Sequence, residues 1–193
     1  MTRKKLHVAF HFPNDLERFK RRTAVILPKD AGAIVAYANL NKKSKVVEIG
    51  GGSGFLTYYL ANVCKKVTTY EKKKEAYEVL RKNMEKAGLK NVIIKNKDGI
   101  KIDEKLVDAL IIDSPEATEI LANNYAKVRK GGFIVAYIPN ANQVKSFVET
   151  CKSLNLEAFV MRMVGEEWDV EDKKLRPKHI QLYHTAFLVF AKR

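Results

Sequence analysis

From residue 44 onward, short runs that are apolar throughout alternate with longer segments whose apolar residues recur every three or four positions. The first kind reads as buried strands: "KVVEIG" (45–50), "KVTTYE" (66–71), "NVIIKN" (91–96), "VDALIID" (107–113) and "GGFIVAYIP" (131–139), then two last strands at about 156–165 and 184–192. The second kind reads as helices at 54–64, 72–89, roughly 116–129 and 141–154. In the 72–89 segment Ala76, Leu80, Met84 and Ala87 fall on one stripe, and Gly88 sits where a helix C-cap is expected. Ahead of these, "PKDAGAIVAYANL" (28–40) predicts a helix with proline in its first turn. Strands with two apolar faces, separated by helices, predict a parallel sheet covered on both sides. The expected fold is a doubly wound, mostly parallel, seven-stranded α/β sheet. Two strands in succession at the end make the last one antiparallel. Residues 1–20 read as a short N-terminal extension and 21–193 as a single domain, with no repeat, low-complexity tract or Pro/Gly linker.

Composition narrows the class. With 193 residues, 46% apolar and 30% charged, the chain suits one globular domain. No apolar run reaches the length of about eighteen residues that a membrane span requires, and "MTRKKLHVAFHF" lacks a signal peptide's long apolar stretch. Cys64 and Cys151 have no CxxC or Cys/His spacing, which argues against zinc or a disulfide scaffold and for a reducing, cytoplasmic setting. The net charge of +14 makes nucleic acid the leading partner class. A lysine-rich solvated surface is the plainer alternative, since the charge is spread out and no aromatic RNA-binding signature accompanies it.

The first strand ends in "EIGGGSG", with Glu48 followed by Gly50, Gly52 and Gly54. Glycines at such a turn permit positive φ and close approach of a ligand to the backbone. A dinucleotide fingerprint needs glycines at n, n+2 and n+5. Counting from Gly50 the third position is Phe55, and from Gly52 it is Thr57, so NAD is disfavoured. The E-x-G-x-G-x-G pattern instead resembles motif I of class I, Rossmann-like, S-adenosylmethionine-dependent methyltransferases. Glu71 ends the second strand, where an acid can accept hydrogen bonds from both ribose hydroxyls. Asp98, in "NKDG", falls where methyltransferases place an acid near the adenine amino group.

"IIDSPEA" (111–117) raises the question of substrate. By position alone Asp113 is equally a cap for the strand end or next helix and a residue that touches substrate. Its partial likeness to the (D/N)-P-P-(Y/F) motif of exocyclic-amine methyltransferases is poor, because Glu116 follows Pro115 where an aromatic ring is required.

Longer segments resemble one family, the tRNA (adenine-N1)-methyltransferases that modify the T-loop at position 58, and in archaea also 57. "RRTAVILPKDAGAIV" (21–35) is similar to that family's R-R-T-x-V-I-x-P-K-D, and "YIPNANQV" (137–144) to its Y-x-P-N-x-x-Q-V. "EEWDV…LRPKHIQLYHTAFLVFAKR" resembles its ending, with Ala186 in place of a glycine. The resemblance implies a catalytic domain over 21–193 that binds S-adenosylmethionine and tRNA and assembles as a homo-oligomer, commonly a tetramer. It assigns the cofactor to Glu48, Gly50, Gly52, Ser53, Gly54, Leu56, Thr57, Glu71, Asp98, Gly99 and Asp113, and makes Asp113 the catalytic aspartate. Arg21, Arg22, Pro115, Tyr137, Trp168, Arg176 and His184 become substrate candidates. Trp168 also has a plain reading as a packing residue, Arg21, Arg22 and Arg176 as solvated charges, and His184 as a polar residue beginning a strand. Two departures stand out. Members usually carry an additional N-terminal domain, whereas 20 residues precede "RRT" here, and D-x-P-x-P-W is replaced by Asp113-Ser114-Pro115-Glu116-Ala117. Two other functions stay open: a methyltransferase for another RNA position or a small molecule, and a non-catalytic tRNA-binding subunit.

Overall fold

The computed structural model describes residues 12–171, 174–179 and 181–193. A short helix, α1 (Asn14–Glu17), precedes α2 (Pro28–Tyr37), which has its proline at the first helical position. Then β1 (Lys45–Ile49), α3 (Phe55–Val63), β2 (Lys66–Tyr70), α4 (Lys74–Lys86) and β3 (Val92–Lys95) follow in turn. Next come β4 (Val107–Ile112), α5 (Ala117–Asn124), a 3-10 turn (Tyr125–Lys127), β5 (Val128–Ile138) and α6 (Ala141–Ser153). The chain closes with β6 (Glu157–Met161), β7 (Trp168–Glu171), β8 (Lys174–Pro177) and β9 (Phe187–Lys192).

Seven strands form one sheet in the order β3-β2-β1-β4-β5-β9-β6. Pairing is parallel from β3 through β5, and β9 runs antiparallel between β5 and β6. Successive side chains on a strand face opposite ways, and both faces are apolar. Val47, Ile49, Leu110 and Ile112 pack with Ile120, Leu121, Phe147 and Cys151 from α5 and α6. Val46, Ala109, Ile111 and Val135 pack with Ile34, Leu56 and Leu60 from α2 and α3. This is the doubly wound sheet with an antiparallel last strand that the sequence pattern predicts. The strand order reverses between β1 and β4, so their carboxyl ends border the crevice where open α/β sheets bind ligands.

Residues 12–20 pack on the helices. Leu16 and Phe19 join Phe55, Leu80 and Met84 in a separate apolar cluster, and the Tyr58 hydroxyl donates to Asp15 Oδ2 at 2.9 Å.

Several sequence boundaries need correction. The helix expected over 116–129 ends at Asn124, whose buried amide donates to the Ile100 and Ile120 carbonyls and accepts from Ile102 N–H. The fifth strand therefore begins at Val128, three residues before the expected start. It tolerates Gly131 (φ +75°) and Gly132 through a register shift opposite Val107 and Ala109. The sixth strand is shorter than 156–165. A second, two-stranded sheet of β7 and β8 lies between it and the last strand, in a stretch whose charged residues hide any alternation. His184 does not begin a strand: β9 starts at Phe187, and His184 lies in the loop before it.

Candidate functional site

Glycines build the site because nothing larger fits. Gly50, Gly52 and Gly54 have φ of +87°, +54° and +85°, in the left-handed region. A Cβ on Gly50 would stand 2.0 Å from the Asp113 carbonyl oxygen, and one on Gly51 2.4 Å from Thr69 Oγ1. The turn leads into α3, leaving backbone amides at the end of β1.

Carboxylates converge on this turn. Glu71, directly after β2 and buried, accepts hydrogen bonds from Gly52 N–H (Oε2, 2.9 Å) and Lys73 N–H (Oε1, 2.8 Å). Glu48 is buried inside β1 and accepts from the Thr57 hydroxyl at 2.6 Å. Burial pushes its carboxyl up to about 7; the Thr57 and Thr69 hydroxyls oppose the rise, and Asp113 and Glu71 add to it. Asp113 follows β4 directly, its N–H donating to the Ile49 carbonyl at 2.8 Å. Burial, and then the nearby Glu71 charge, push its carboxyl up to about 7 as well. Asp98 is exposed in the loop after β3, where its side chain accepts from Ile100 N–H at 2.9 Å.

A cavity of about 290 Å³ occupies the crevice, walled by the glycine turn, Glu48, Leu56, Glu71, Asp98, Gly99 and Asp113. Gly99 is buried against Ile49, 2.5 Å from where its Cβ would fall. A second cavity of about 370 Å³ lies beyond, lined by Pro115, Thr118, Tyr137, Pro139, Gln143 and Ser146 among others. The two share one wall, made of Asp113, Ser114 and Pro115. Tyr137 is half-buried there, and burial first, then the Asp30 charge, hold its phenol well above the usual tyrosine value.

The loop after Pro115 carries an ion pair. Lys72 Nζ lies 2.8 Å from Glu116 Oε1, and the Ser114 hydroxyl donates to Glu116 Oε2. These partners hold the Glu116 carboxyl down to about 2, Lys72 most strongly. The pair joins the segment after Glu71 to the segment after Asp113.

Other residues singled out from the sequence fall elsewhere. Ser53 accepts from Arg22 N–H at 3.0 Å and contacts the Thr23 hydroxyl at 3.3 Å, so it fastens the "RRT" segment to the turn. Gly54 caps α3, and Thr57 reaches the site through Glu48. The Arg21 guanidinium lies 5.9 Å from the Phe55 ring centroid. His184 Nε2 is 2.9 Å from the carbonyl of Pro139, a residue that lines the second cavity, while His184 itself lines neither. Trp168 and Arg176 stand exposed on the β7–β8 pair and line neither cavity.

Some lining residues carry little signal in the sequence. Thr23 to Ile26 form one side of the first cavity, and Lys72, Lys73 and Lys97 surround its mouth. The "RRTAVI" segment and the lysines around Glu71 are their only signals, and those lysines read as the wet face of a helix. Among the described residues, no cluster of three or more His, Cys, Asp or Glu is placed to hold a metal ion. Nor is any helix among them long and apolar enough to cross a membrane.

Comparison with known proteins adds independent findings. The ribosomal RNA adenine dimethylase family model matches residues 27–163. A tRNA (adenine(57)-N(1)/adenine(58)-N(1))-methyltransferase, TrmI of Methanocaldococcus jannaschii, is 32% identical over 92% of this chain and 74% of its own length. The tRNA (adenine(58)-N(1))-methyltransferase TrmI of Thermus thermophilus is 30% identical over 92% and 72%. The crystal structure of tRNA (m1A58) methyltransferase TrmI from Aquifex aeolicus superposes with a TM-score of 0.85 at 31% identity, covering 92% of this chain and 73% of that one.

Proposed function

This chain belongs to the tRNA (adenine-N1)-methyltransferase family, and on that premise we propose that it methylates N1 of a T-loop adenine in tRNA, at position 58 or at both 57 and 58. S-adenosylmethionine is its cofactor, and when bound it supplies a methyl group already activated on a sulfonium. The residues present fit it: a glycine cradle that side chains would fill, a buried acid beside that cradle, and a cavity of about 290 Å³. Glu71 is suited to accept from the ribose hydroxyls, since each of its oxygens keeps a lone pair beyond its backbone bond. Asp98 is suited to the adenine amino group at the mouth.

The observation that carries this reading is Asp113 on the wall common to both cavities. Adenine N1 has an in-plane lone pair that is unprotonated at neutral pH, so attack needs no general base. The reaction needs alignment, and a negative charge near the ring as the ring becomes cationic. Asp113 supplies both in our reading. Its carboxylate accepts from the N6 amino group, holding the ring, and its charge opposes the one that develops. Pro115 and Tyr137 wall the base. Arg21, Arg22, Trp168, Arg176 and His184, which line neither cavity, are assigned in this reading to contacts with the tRNA body. The charge of +14 supports a polyanionic partner.

One observation favours a second reading. The ribosomal RNA adenine dimethylase model covers 27–163, and placing two methyls on one adenine nitrogen is exocyclic-amine chemistry. Against it, Glu116 stands tied to Lys72 where a stacking ring belongs. Incubating the protein with tRNA transcripts carrying adenine or guanine at 57 and 58, then identifying nucleosides by mass spectrometry, decides between them. 1-methyladenosine that falls when the adenine at 58 is replaced, with any remainder lost with the adenine at 57, supports our reading; N6-methylated adenosine, or no product, overturns it.

We further propose that residues 21–193 act as one catalytic domain and that copies of the chain assemble. Val170, Leu175 and Trp168 on the β7–β8 pair, and Phe159 and Val160 on the edge strand β6, are exposed apolar side chains suited to contact between copies. Light scattering on the purified protein tests this. The free, buried Cys64 and Cys151 suit a reducing cytoplasm as its place of work.

A further inference from the structure

Lys29 and Asp30 line neither cavity, yet they form a charged cluster whose acid is buried and whose lysine keeps partial contact with solvent. Asp30, in the first turn of α2, is fully buried. The Lys29 ammonium donates to both its carboxylate oxygens, at 2.8 and 3.0 Å, and the Thr185 hydroxyl donates to Oδ2 at 2.8 Å. The same ammonium reaches Thr185 Oγ1 (2.8 Å) and the Met163 carbonyl (2.9 Å). One lysine thus joins the start of α2, the exit of β6 and the loop before β9. Taking the Asp30 charge out of water is costly, and the attraction of a partly exposed ammonium does little more than offset that cost. What such a cluster supplies is geometry, since three ammonium protons are shared among four acceptors drawn from three segments of the chain.

That geometry is passed to the second cavity. Thr185 stands beside the Tyr137 phenol, and the preceding residue, His184, contacts the Pro139 carbonyl at 2.9 Å. Tyr137 and Pro139 both line the cavity of about 370 Å³. Two consecutive residues therefore face two parts of one wall, and the second of them, Thr185, is clamped by the ion pair.

We propose that the Lys29–Asp30 ion pair, acting through Thr185, is a positioning device that fixes Tyr137 and Pro139 as the wall against which the target adenine is seated. This rests on the function proposed above. Lys29, Asp30 and Thr185 touch none of the reacting groups. Loosening them misplaces the base while leaving the glycine cradle, on the other side of Asp113, undisturbed.

The test replaces the linking hydroxyl. Thr185→Val keeps the volume and removes the hydrogen bonds; Thr185→Ser keeps the hydroxyl. The expected result for T185V is a kcat lower by about tenfold or more, with KM for tRNA and affinity for S-adenosylmethionine each within about twofold of wild type, and recovery in T185S. A kcat of T185V within about twofold of wild type, or T185S as impaired as T185V, overturns the proposal. Amide exchange gives a readout independent of turnover and of T185V folding. In Asp30→Asn, exchange over residues 137–143 and 182–187 accelerates if the clamp is real, and unchanged exchange there overturns it. Wild-type protein that makes no methyladenosine would defeat the functional reading, while the exchange comparison still judges the clamp.

Discussion

The carbonyl oxygen of Asp113 lies 2.0 Å from where a Cβ on Gly50 would fall, so the end of β4 rests directly on the glycine turn that follows β1. Gly50 also has φ of +87°, and both its N–H and that of Gly51 donate to the Tyr70 carbonyl, at 2.9 and 3.1 Å. Backbone on backbone leaves no flexible side chain to give way. Gly50→Ala is expected to cost about 2–4 kcal/mol of stability and to abolish cofactor binding. Urea unfolding and a cofactor titration measure both. A variant that binds normally would show that the turn can move away from Asp113.

Asp113→Ala separates the two cavities by function. The first retains its glycine turn and Glu71, so affinity for S-adenosylmethionine should change by less than about fivefold. Methyl transfer should fall by about a hundredfold or more, the scale of losing a preorganised electrostatic contact. Equilibrium binding and single-turnover methylation of tRNA give the two numbers. Unchanged turnover would remove Asp113 from the chemistry.

Glu48 and Asp113 make an unusual contribution to pH dependence. Their ordinary values are 4.5 and 3.8, and both are pushed up to about 7 in the folded protein. Between those limits the folded chain retains protons that the unfolded chain has released, so stability falls as pH rises through that window. Ligand-free protein should therefore melt at a higher temperature at pH 6 than at pH 8, and Glu48→Gln should flatten the trend. Glu116, held down to about 2, has the opposite sign, but its contribution changes only in stronger acid. A melting temperature that drops steadily from pH 8 to pH 6 in low-salt buffer would contradict the assignment.

Asn83 is the brace between the N-terminal segment and the cradle. Fully buried in α4, it accepts from Lys20 N–H (3.0 Å) and donates to the carbonyls of Lys20 (2.9 Å) and Ser53 (2.8 Å). Asn83→Ala leaves three backbone groups short of a partner, at a cost of about 2–4 kcal/mol. Limited proteolysis should then cut near residues 18–22 more readily, with cofactor affinity falling in parallel. Wild-type resistance to protease in this variant would show that the apolar cluster of Leu16 and Phe19 suffices.

Much of the site is legible in the sequence because strands fix where their last residues go. Glu71 and Asp113 each follow an apolar run directly, and in a parallel sheet such residues must meet at the carboxyl edge. Partners brought together by tertiary contact leave no such signal. Lys72 and Glu116 are 44 positions apart, and nothing local in "EKKKEA" distinguishes a lysine over the cavity from one in water. Lys29 and Asp30 read as ordinary first-turn residues of a helix until Thr185, 155 positions beyond Asp30, closes on them. The β7–β8 pair is hidden for a different reason. Trp168, Val170, Leu175, Arg176 and Pro177 are exposed, so burial imposes no period of two on them. Asn124 ends its helix early because its side chain serves another loop, a demand that helix periodicity does not encode.

The wall of Asp113, Ser114 and Pro115 has one more consequence, for inhibitor chemistry. Two cavities that abut across three residues invite a single chelating compound, an adenosyl group tethered by a short linker to a purine. Filling the first half raises the effective concentration of the second, and the rotational and translational entropy of association is lost once rather than twice. The thinness of that partition, more than the volume on either side of it, makes the crevice a target for bisubstrate ligands.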